Sequence, residues 1–455
     1  MLRGGGNMKL LRKLVLLIVP AFVFTLTGCG KKKNEVKTTL VINPTTIEMY
    51  EDDYALLTAE TNSTKSITYA SQNSDVVTVS SSGVLLAKNA GITYVNASVE
   101  DLTASCYVTV KPSSEKTEDY IKFNKSLFVI GLNDAANENT IIPTYYHLGE
   151  TISGKSFTYS SSNESVADVS SDGKIMVKGS GTALINVSCD SINANVIVDV
   201  YDIVIRTTDD WESMLKSTKN KNARFYLDAD LDFSGIQYVY YSDFYHMLMG
   251  SLEGNYHTVS NIKMKVNDLV QSIFGYVSVF SLSNIRFINT EFTSTVKNGG
   301  LFTSLLQHYS DESSNTITGQ SAVSNVLCDF IFSDVTSCVI ADRFYGANVD
   351  CVYAKVRNKE GKTLTAGNTY LLAYYYHTWF GTSHFINVIG LVENGNITKE
   401  VKKADPADGD YYPNTINEVK TNVANSVIEI NYIASLSFDL NIWNIKPDEL
   451  PSFQG

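Results

Sequence analysis

Residues 250–266 read GSLEGNYHTVSNIKMKV, which sets a carboxylate, Glu253, and an imidazole, His257, four positions apart across Gly254-Asn255. Groups of these two types, brought to one substrate, could act as acid and base. A second grouping lies in ARFYLDADLDFSG, residues 223–235, where Asp228, Asp230 and Asp232 alternate along one side of an extended segment. Carboxylates in register on a strand face concentrate negative charge where a hard cation could bind. Two aromatic clusters, YVYYSDFYHM (238–247) and YLLAYYYHTWFGTSHF (370–385), place rings beside hydroxyls and amides. Such surfaces suit the faces of sugar rings.

Each grouping has a plainer reading. Glu253 and His257 flank a turn, so a structural or solvent-facing role is expected of them. The aspartates stand opposite Phe225, Leu227, Ala229 and Leu231, as a solvated strand face would. Asp75, Glu164, Asp168 and Asp172 lie singly in turns, where Asp is favoured for backbone reasons. The six histidines are scattered, without His-Glu-x-x-His, and no serine sits in a nucleophile elbow. The reading is therefore no catalytic residue, no metal site and no cofactor, with Tyr245, Tyr376 and Trp379 as the candidate ligand-binding residues.

What must position these residues is a β-rich chain. Of 455 residues only 18% are charged while 11% are aromatic, with 27 Tyr and 20 Phe. That length allows two to four domains. The net charge of -12 opposes non-specific binding to a polyanion, so nucleic acid is not expected as a partner. Five cysteines beyond Cys29 (Cys106, Cys189, Cys328, Cys338, Cys351) show no Cys-x-x-Cys spacing and read as small buried hydrophobes.

At the N-terminus a basic stretch, Met8 to Lys13, precedes an apolar run from Leu14 to Leu26 that is too short for a comfortable membrane span. It closes on Leu26-Thr27-Gly28-Cys29. This resembles a bacterial lipoprotein signal, which implies cleavage after residue 28, diacylglycerol on Cys29 and a polar tether over residues 29–36. The resemblance implies a chain held on the extracytoplasmic face of a cell membrane by its lipid.

Residues 67–110 align without a gap on residues 157–200, an offset of 90, with about a third of positions identical. Shared residues include Tyr69/Tyr159, Asn73/Asn163, Val76/Val166, Gly83/Gly173, Lys88/Lys178 and Gly91/Gly181. Short alternating strands separated by Ser/Asn/Gly turns predict a β-sandwich for each copy, over residues 37–111 and 112–202. The shared motif resembles the group 2 bacterial immunoglobulin-like domains of intimin- and invasin-type surface proteins, which act as spacers or adhesive modules.

Beyond Tyr201 the pattern changes. Asp209 and Glu212 are spaced as a capping box, with Trp211, Met214 and Leu215 on one helical face. Asn followed by Ile or Val recurs at Asn261, Asn284, Asn325, Asn348 and Asn387, at intervals of 23, 41, 23 and 39 residues. The intervals predict stacked turns of about 23 residues, two enlarged by loops, with the asparagines in one amide ladder. In that register Cys328 and Cys351 stack on one another. The segments Tyr226 to Asp232, Gly250 to Ile262 and Ile273-Phe274-Gly275 resemble GLUG-type repeats of pectate-lyase-like proteins. That resemblance implies a right-handed parallel β-helix over residues 203–455.

The expected architecture is thus all-β: two immunoglobulin-like β-sandwiches followed by a right-handed parallel β-helix. The expected role is adhesion to, or recognition of, a polysaccharide or a host or matrix surface. A polysaccharide lyase or hydrolase, and a structural envelope protein, are the alternatives.

Overall fold

The computed structural model describes residues 37–392 apart from 64–66, 100–101, 117, 135–138, 218–219, 239–246, 265–269, 307, 311–315, 319–320, 346, 365–367, 371–372 and 377–382, together with 416–424, 443–444 and 452–453. Cys29, Tyr245 and Trp379 lie outside the described residues.

Alternation builds the first module. In the strand Gly91–Val99, Thr93, Val95, Ala97 and Val99 are buried while Ile92 and Tyr94 are exposed. It pairs antiparallel with Leu102–Lys111, from Gly91↔Val110 to Val99↔Leu102. The second module repeats the ladder from Gly181↔Val200 to Cys189↔Ile192. The offset of 90 therefore holds residue for residue in the hydrogen-bond register. Each four-stranded sheet is completed by a parallel first strand, Thr46–Tyr50 or Leu127–Gly131, and an antiparallel last strand, Thr68–Ser71 or Thr158–Ser161. Val77, Leu85, Val95 and Val108 belong to one core, Ala167, Ile175, Ile185 and Val198 to the other.

Gly83 and Gly173 close equivalent hairpins in the two modules. Gly83 and Gly173 both have φ +82°, and a Cβ there would meet the carbonyl oxygen of Leu57 at 2.1 Å or of Ile141 at 2.5 Å. Only glycine fits such a position.

After the second module, Ile203–Ile205 pairs parallel with Arg224–Leu227, and the helix Thr208–Lys216 lies between them in sequence. Trp211, Met214 and Leu215 are buried, as the helical spacing predicts. The cap differs: Thr207 is the N-cap, and its side chain and that of Asp210 satisfy each other's backbone N–H groups. Threonine and aspartate three apart do the same job as the expected Asp209–Glu212 pair, two residues earlier.

A parallel ladder then runs through Arg224–Leu227, Leu248–Glu253, Tyr276–Phe292, Ala322–Phe332, Asn348–Asn358, Ser383–Val392 and Ile416–Ala424. A second parallel ladder joins Val270–Ser272, Lys297–Gly300, Thr336–Cys338 and Thr369–Tyr370, and a third joins Phe302–Leu306, Ala341–Tyr345 and Ala373–Tyr376. One continuous core runs through this region, from Ile205 and Trp211 through Phe287 and Phe302 to Val356 and Leu364.

The register corrects the expected 23-residue period. Val259 pairs with Phe287, Ile285 with Val326, Val326 with Val352 and Val352 with Val388, so successive returns take 28, 41, 26 and 36 residues. Cys328 consequently stands opposite Phe287 and Ala354, and not opposite Cys351. The recurrence of Asn-Ile and Asn-Val mixes two different corners, which is why its spacing is not the strand spacing.

Candidate functional site: the module junction and the asparagine rows

Glu253 and His257 do not form a pair. Glu253 ends the strand Leu248–Glu253 and is buried at 4% exposure. Its Oε1 accepts hydrogen bonds from Asn284 Nδ2 at 2.8 Å and from the Asn255 backbone N–H at 3.0 Å, and its Oε2 from the Ser283 hydroxyl at 3.0 Å. The Ser81 side chain, from the first module, hydrogen-bonds the same carboxyl. Burial raises the Glu253 pKa against the opposing pull of these donors. His257 is occupied elsewhere, with Nδ1 3.0 Å from Asp230 Oδ1.

The three aspartates likewise go to separate partners. Asp228 meets Arg206 at 2.9 Å, Asp230 accepts from the Thr258 backbone at 2.8 Å, and Asp232 accepts from Asn261 Nδ2 at 2.8 Å. Asp168 pairs with Lys178. Among the described residues no group of three or more His, Cys, Asp or Glu side chains could hold a metal ion.

The asparagines form two rows where one was expected. Asn325 Nδ2 donates to Asn284 Oδ1 at 3.0 Å, while Asn289 Nδ2 donates to Asn261 Oδ1 at 2.7 Å. All four have φ between +52° and +60°. Asparagine tolerates this left-handed corner better than most residues, and its amide both donates and accepts. The Asn-Ile and Asn-Val recurrence passes over Asn289, because Thr290 follows it in place of Ile or Val. A register shift between Phe287 and Thr290 marks a bulge there, and Asn289 N–H donates to Asp329 Oδ2 at 3.2 Å. By backbone register Asn387, between Ile386 and Val388, falls on the rung of Cys351, which lies between Asp350 and Val352. Asn348 stands opposite Ala322 and His384, outside both rows, and its Oδ1 is buried without a partner.

Of the aromatic candidates, Tyr376 is placed by its backbone opposite Phe344. Arg286, beside Thr258 and Leu327 on the ladder, is half-buried with its Nε unpartnered, and burial lowers its pKa against the charge of Asp230.

A dense polar cluster joins the three regions of the chain. Asp199, 2% exposed, accepts from four donors: Thr182 Oγ1 at 2.6 Å and Arg224 Nη2 at 2.7 Å on Oδ1, Ser82 Oγ and Tyr201 OH, each at 2.8 Å, on Oδ2. Thr182 and Tyr201 belong to the second module, Ser82 to the hairpin of the first, and Arg224 to the first rung of the parallel ladder. The guanidinium lies 4.4 Å from the Tyr201 ring centre and also donates to the Val200 carbonyl at 2.9 Å. Although burial works against its charge, Asp199 helps keep the Arg224 pKa above its usual value. Burial and the Asp199 charge push the Tyr201 hydroxyl far up.

Further contacts brace this junction. The first-module strand Tyr54–Leu56 packs on Ile192–Tyr201 of the second. Arg206 bridges Asp134 at 3.0 Å and Asp228 at 2.9 Å. In the linker, Lys116 pairs with Asp53 at 3.2 Å and sits over the rings of Tyr50 and Tyr120 at 4.9 and 5.0 Å. Sequence reading missed the whole cluster, because its members lie in three separate parts of the chain.

Comparison with known proteins agrees with the sandwich part of the fold. Residues 144–190 match the family model of the intimin immunoglobulin-like domain. The chain therefore carries immunoglobulin-like domains within an all-β architecture. Among solved structures, domains 5-6 of the S-layer protein SbsC are similar at 16% identity, over 36% of this chain and 97% of that one, with a TM-score of 0.20. Human protocadherin-24 EC1-2 is similar at 13% identity over 36% and 97%, with a TM-score of 0.15. Mouse cadherin-23 EC22-24 gives 14% identity over 36% and 65%, at 0.15. The search of curated proteins returned no match.

Proposed function

We propose that the chain is a lipid-anchored cell-surface protein in which two immunoglobulin-like modules present a right-handed parallel β-helix, residues 203–455, to a carbohydrate or to a host or matrix surface, without catalysis. The observation that carries this reading is the junction at Asp199. A spacer that only needed reach would leave its modules on loose linkers, and relative motion is the default for small interfaces. Here a buried carboxylate, a guanidinium and a serine hydroxyl tie both modules to the first parallel rung. A fixed joint of this kind suits presentation of one face in a defined direction. The match of residues 144–190 to an intimin domain supports a place at the cell surface, and Leu-Thr-Gly-Cys29 supports diacylglycerol as the means of attachment.

Carbohydrate is the favoured ligand because the tyrosine-rich segments around Tyr245, Tyr376 and Trp379 supply rings with neighbouring hydroxyls. A glycan and matrix-protein screen of the chain tests it. Binding that is lost on Trp379→Ala or Tyr376→Ala, with the thermal transition unchanged, is the expected result. Release of product from a polysaccharide would replace this reading by an enzyme, and no binding to any glycan or matrix protein would leave a structural role. Cys29→Ser should move the chain from the membrane to the soluble fraction.

A further inference from the structure

The duplication leaves the two modules unequally covered, and the difference points to a partner. In the second module the outer face of the main sheet, at Thr182, Leu184, Ile197 and Asp199, is a seat. The first module docks on it, with Ser82 of its hairpin on Asp199, and Ile197 and Asp199 are 1% and 2% exposed. The equivalent positions 90 residues earlier are Ile92, Tyr94, Tyr107 and Thr109, and they share one face by the same register, Ile92↔Thr109 and Tyr94↔Tyr107 beside Thr182↔Asp199 and Leu184↔Ile197. Here the seat is open: Ile92 is 57% exposed and Tyr94 44%. The Tyr94 and Tyr107 rings contact edge to face at 5.3 Å, so they offer one continuous apolar surface.

The element that would fill it is also present and exposed, its Asp172 carboxylate bonded only within its own hairpin, to the Ser170 hydroxyl, among the contacts of the described residues. The hairpin Ser170–Gly173 of the second module corresponds to Ser80–Gly83 of the first, with the same glycine φ of +82°. Asp172 takes the place of Ser82 and is exposed. Met176, in the place of Leu86, is 42% exposed. The hydrogen-bonding roles are exchanged between the two sets. Within the chain a hairpin hydroxyl, Ser82, meets a carboxylate in the seat, Asp199. In the other set a hairpin carboxylate, Asp172, would meet a hydroxyl in the seat, Thr109.

We infer that a second copy of the chain seats its second-module hairpin, around Asp172 and Met176, on the open first-module face at Ile92, Tyr94, Tyr107 and Thr109. The contact is head to tail: each copy offers one seat and one hairpin. It therefore propagates into rows of copies instead of closing as a pair. The within-chain joint is its template, so a successful contact reuses an interface the fold already makes.

Mixing experiments on the full chain carrying Cys29→Ser, which removes both the lipid and a stray thiol, decide it. Chains carrying Thr109→Cys alone, or Asp172→Cys alone, should give no disulfide-linked dimer on mild oxidation, whereas a mixture of the two should. In sedimentation velocity the unmodified chain should show species above two copies as concentration rises. Tyr94→Glu and Asp172→Arg should each reduce this, and an equimolar mixture of those variants should recover a dimer through the one intact seat and one intact hairpin. Circular dichroism of each variant should match the parent. A single-copy mass at all concentrations overturns the proposal. So does a homodimer from Thr109→Cys alone with association insensitive to Asp172→Arg, which would mean seat against seat.

Discussion

Arg224 Nη2 lies 2.7 Å from Asp199 Oδ1, with the cation on the first rung of the parallel ladder and the anion in the strand Ile192–Tyr201 of the second module. Both are largely buried, so the pair is worth most as a constraint and is costly to break. Arg224→Met should leave an unpaired carboxylate among Ser82, Thr182 and Tyr201 and cost about 3–5 kcal/mol. The denaturant midpoint reads this, and the double change Asp199→Leu with Arg224→Met should cost less than the sum of the two singles.

Glu253 gives a pH dependence with a definite sign. Its pKa is raised on folding, so between its unfolded and folded values the native state holds the proton more tightly than the unfolded chain does. Its contribution therefore falls as pH rises through that window, starting from the ordinary glutamate range. Glu253→Gln keeps the shape and the bonds to Asn284 and Ser283 without the charge. The difference in Tm between variant and parent should move in the variant's favour from pH 4 to pH 7, and a constant difference would show that burial of Glu253 does not matter.

Asn284 combines a left-handed backbone at φ +55° with bonds to Glu253 and Asn325. Asn284→Ala loses both bonds and strains the corner, for about 2–3 kcal/mol. Asn284→Gly should recover roughly 1 kcal/mol of this, since glycine accepts the corner at little steric cost. Equal losses for the two variants in chemical denaturation would place the whole effect on the amide.

Cys328 is buried beneath Phe287 and beside Ala354 on the ladder, with its thiol pKa pushed well above normal by burial. It should resist iodoacetamide in the folded chain and react fully in denaturant. Peptide mapping without reductant should find no Cys328–Cys351 disulfide, because the register sets the two on different rungs.

The strands, the duplication and the hairpin glycines were legible in the sequence because each depends on local alternation or on one backbone angle. Trp211, Met214 and Leu215 were placed correctly on the buried helix face for the same reason. The asparagine rows were half legible. Asn284 and Asn325 do stack, but Asn261 joins Asn289, because one bulged residue at 288–289 and returns of unequal length break the simple period. The junction was not legible at all. Asp199 sits in an alternating strand where the pattern calls only for a solvent-facing residue, and nothing local announces that Ser82, 117 positions away, will cover it. For Glu253 the turn left a structural and a solvent-facing role both open, and contact between distant segments decides for the buried, structural one.

Thr109 and Asp199 occupy the same place in two copies of one ancestral unit, yet only Asp199 has Ser82 on one side and Arg224 on the other. A chain with its two units exchanged would keep every strand and both cores, but would bring Asp172 against Thr109 inside the molecule and leave Arg224 facing a threonine. The linear order of the units is thus marked most plainly at one side chain, Asp199. With a carboxylate at this place in one copy only, the two halves of the duplication are not interchangeable.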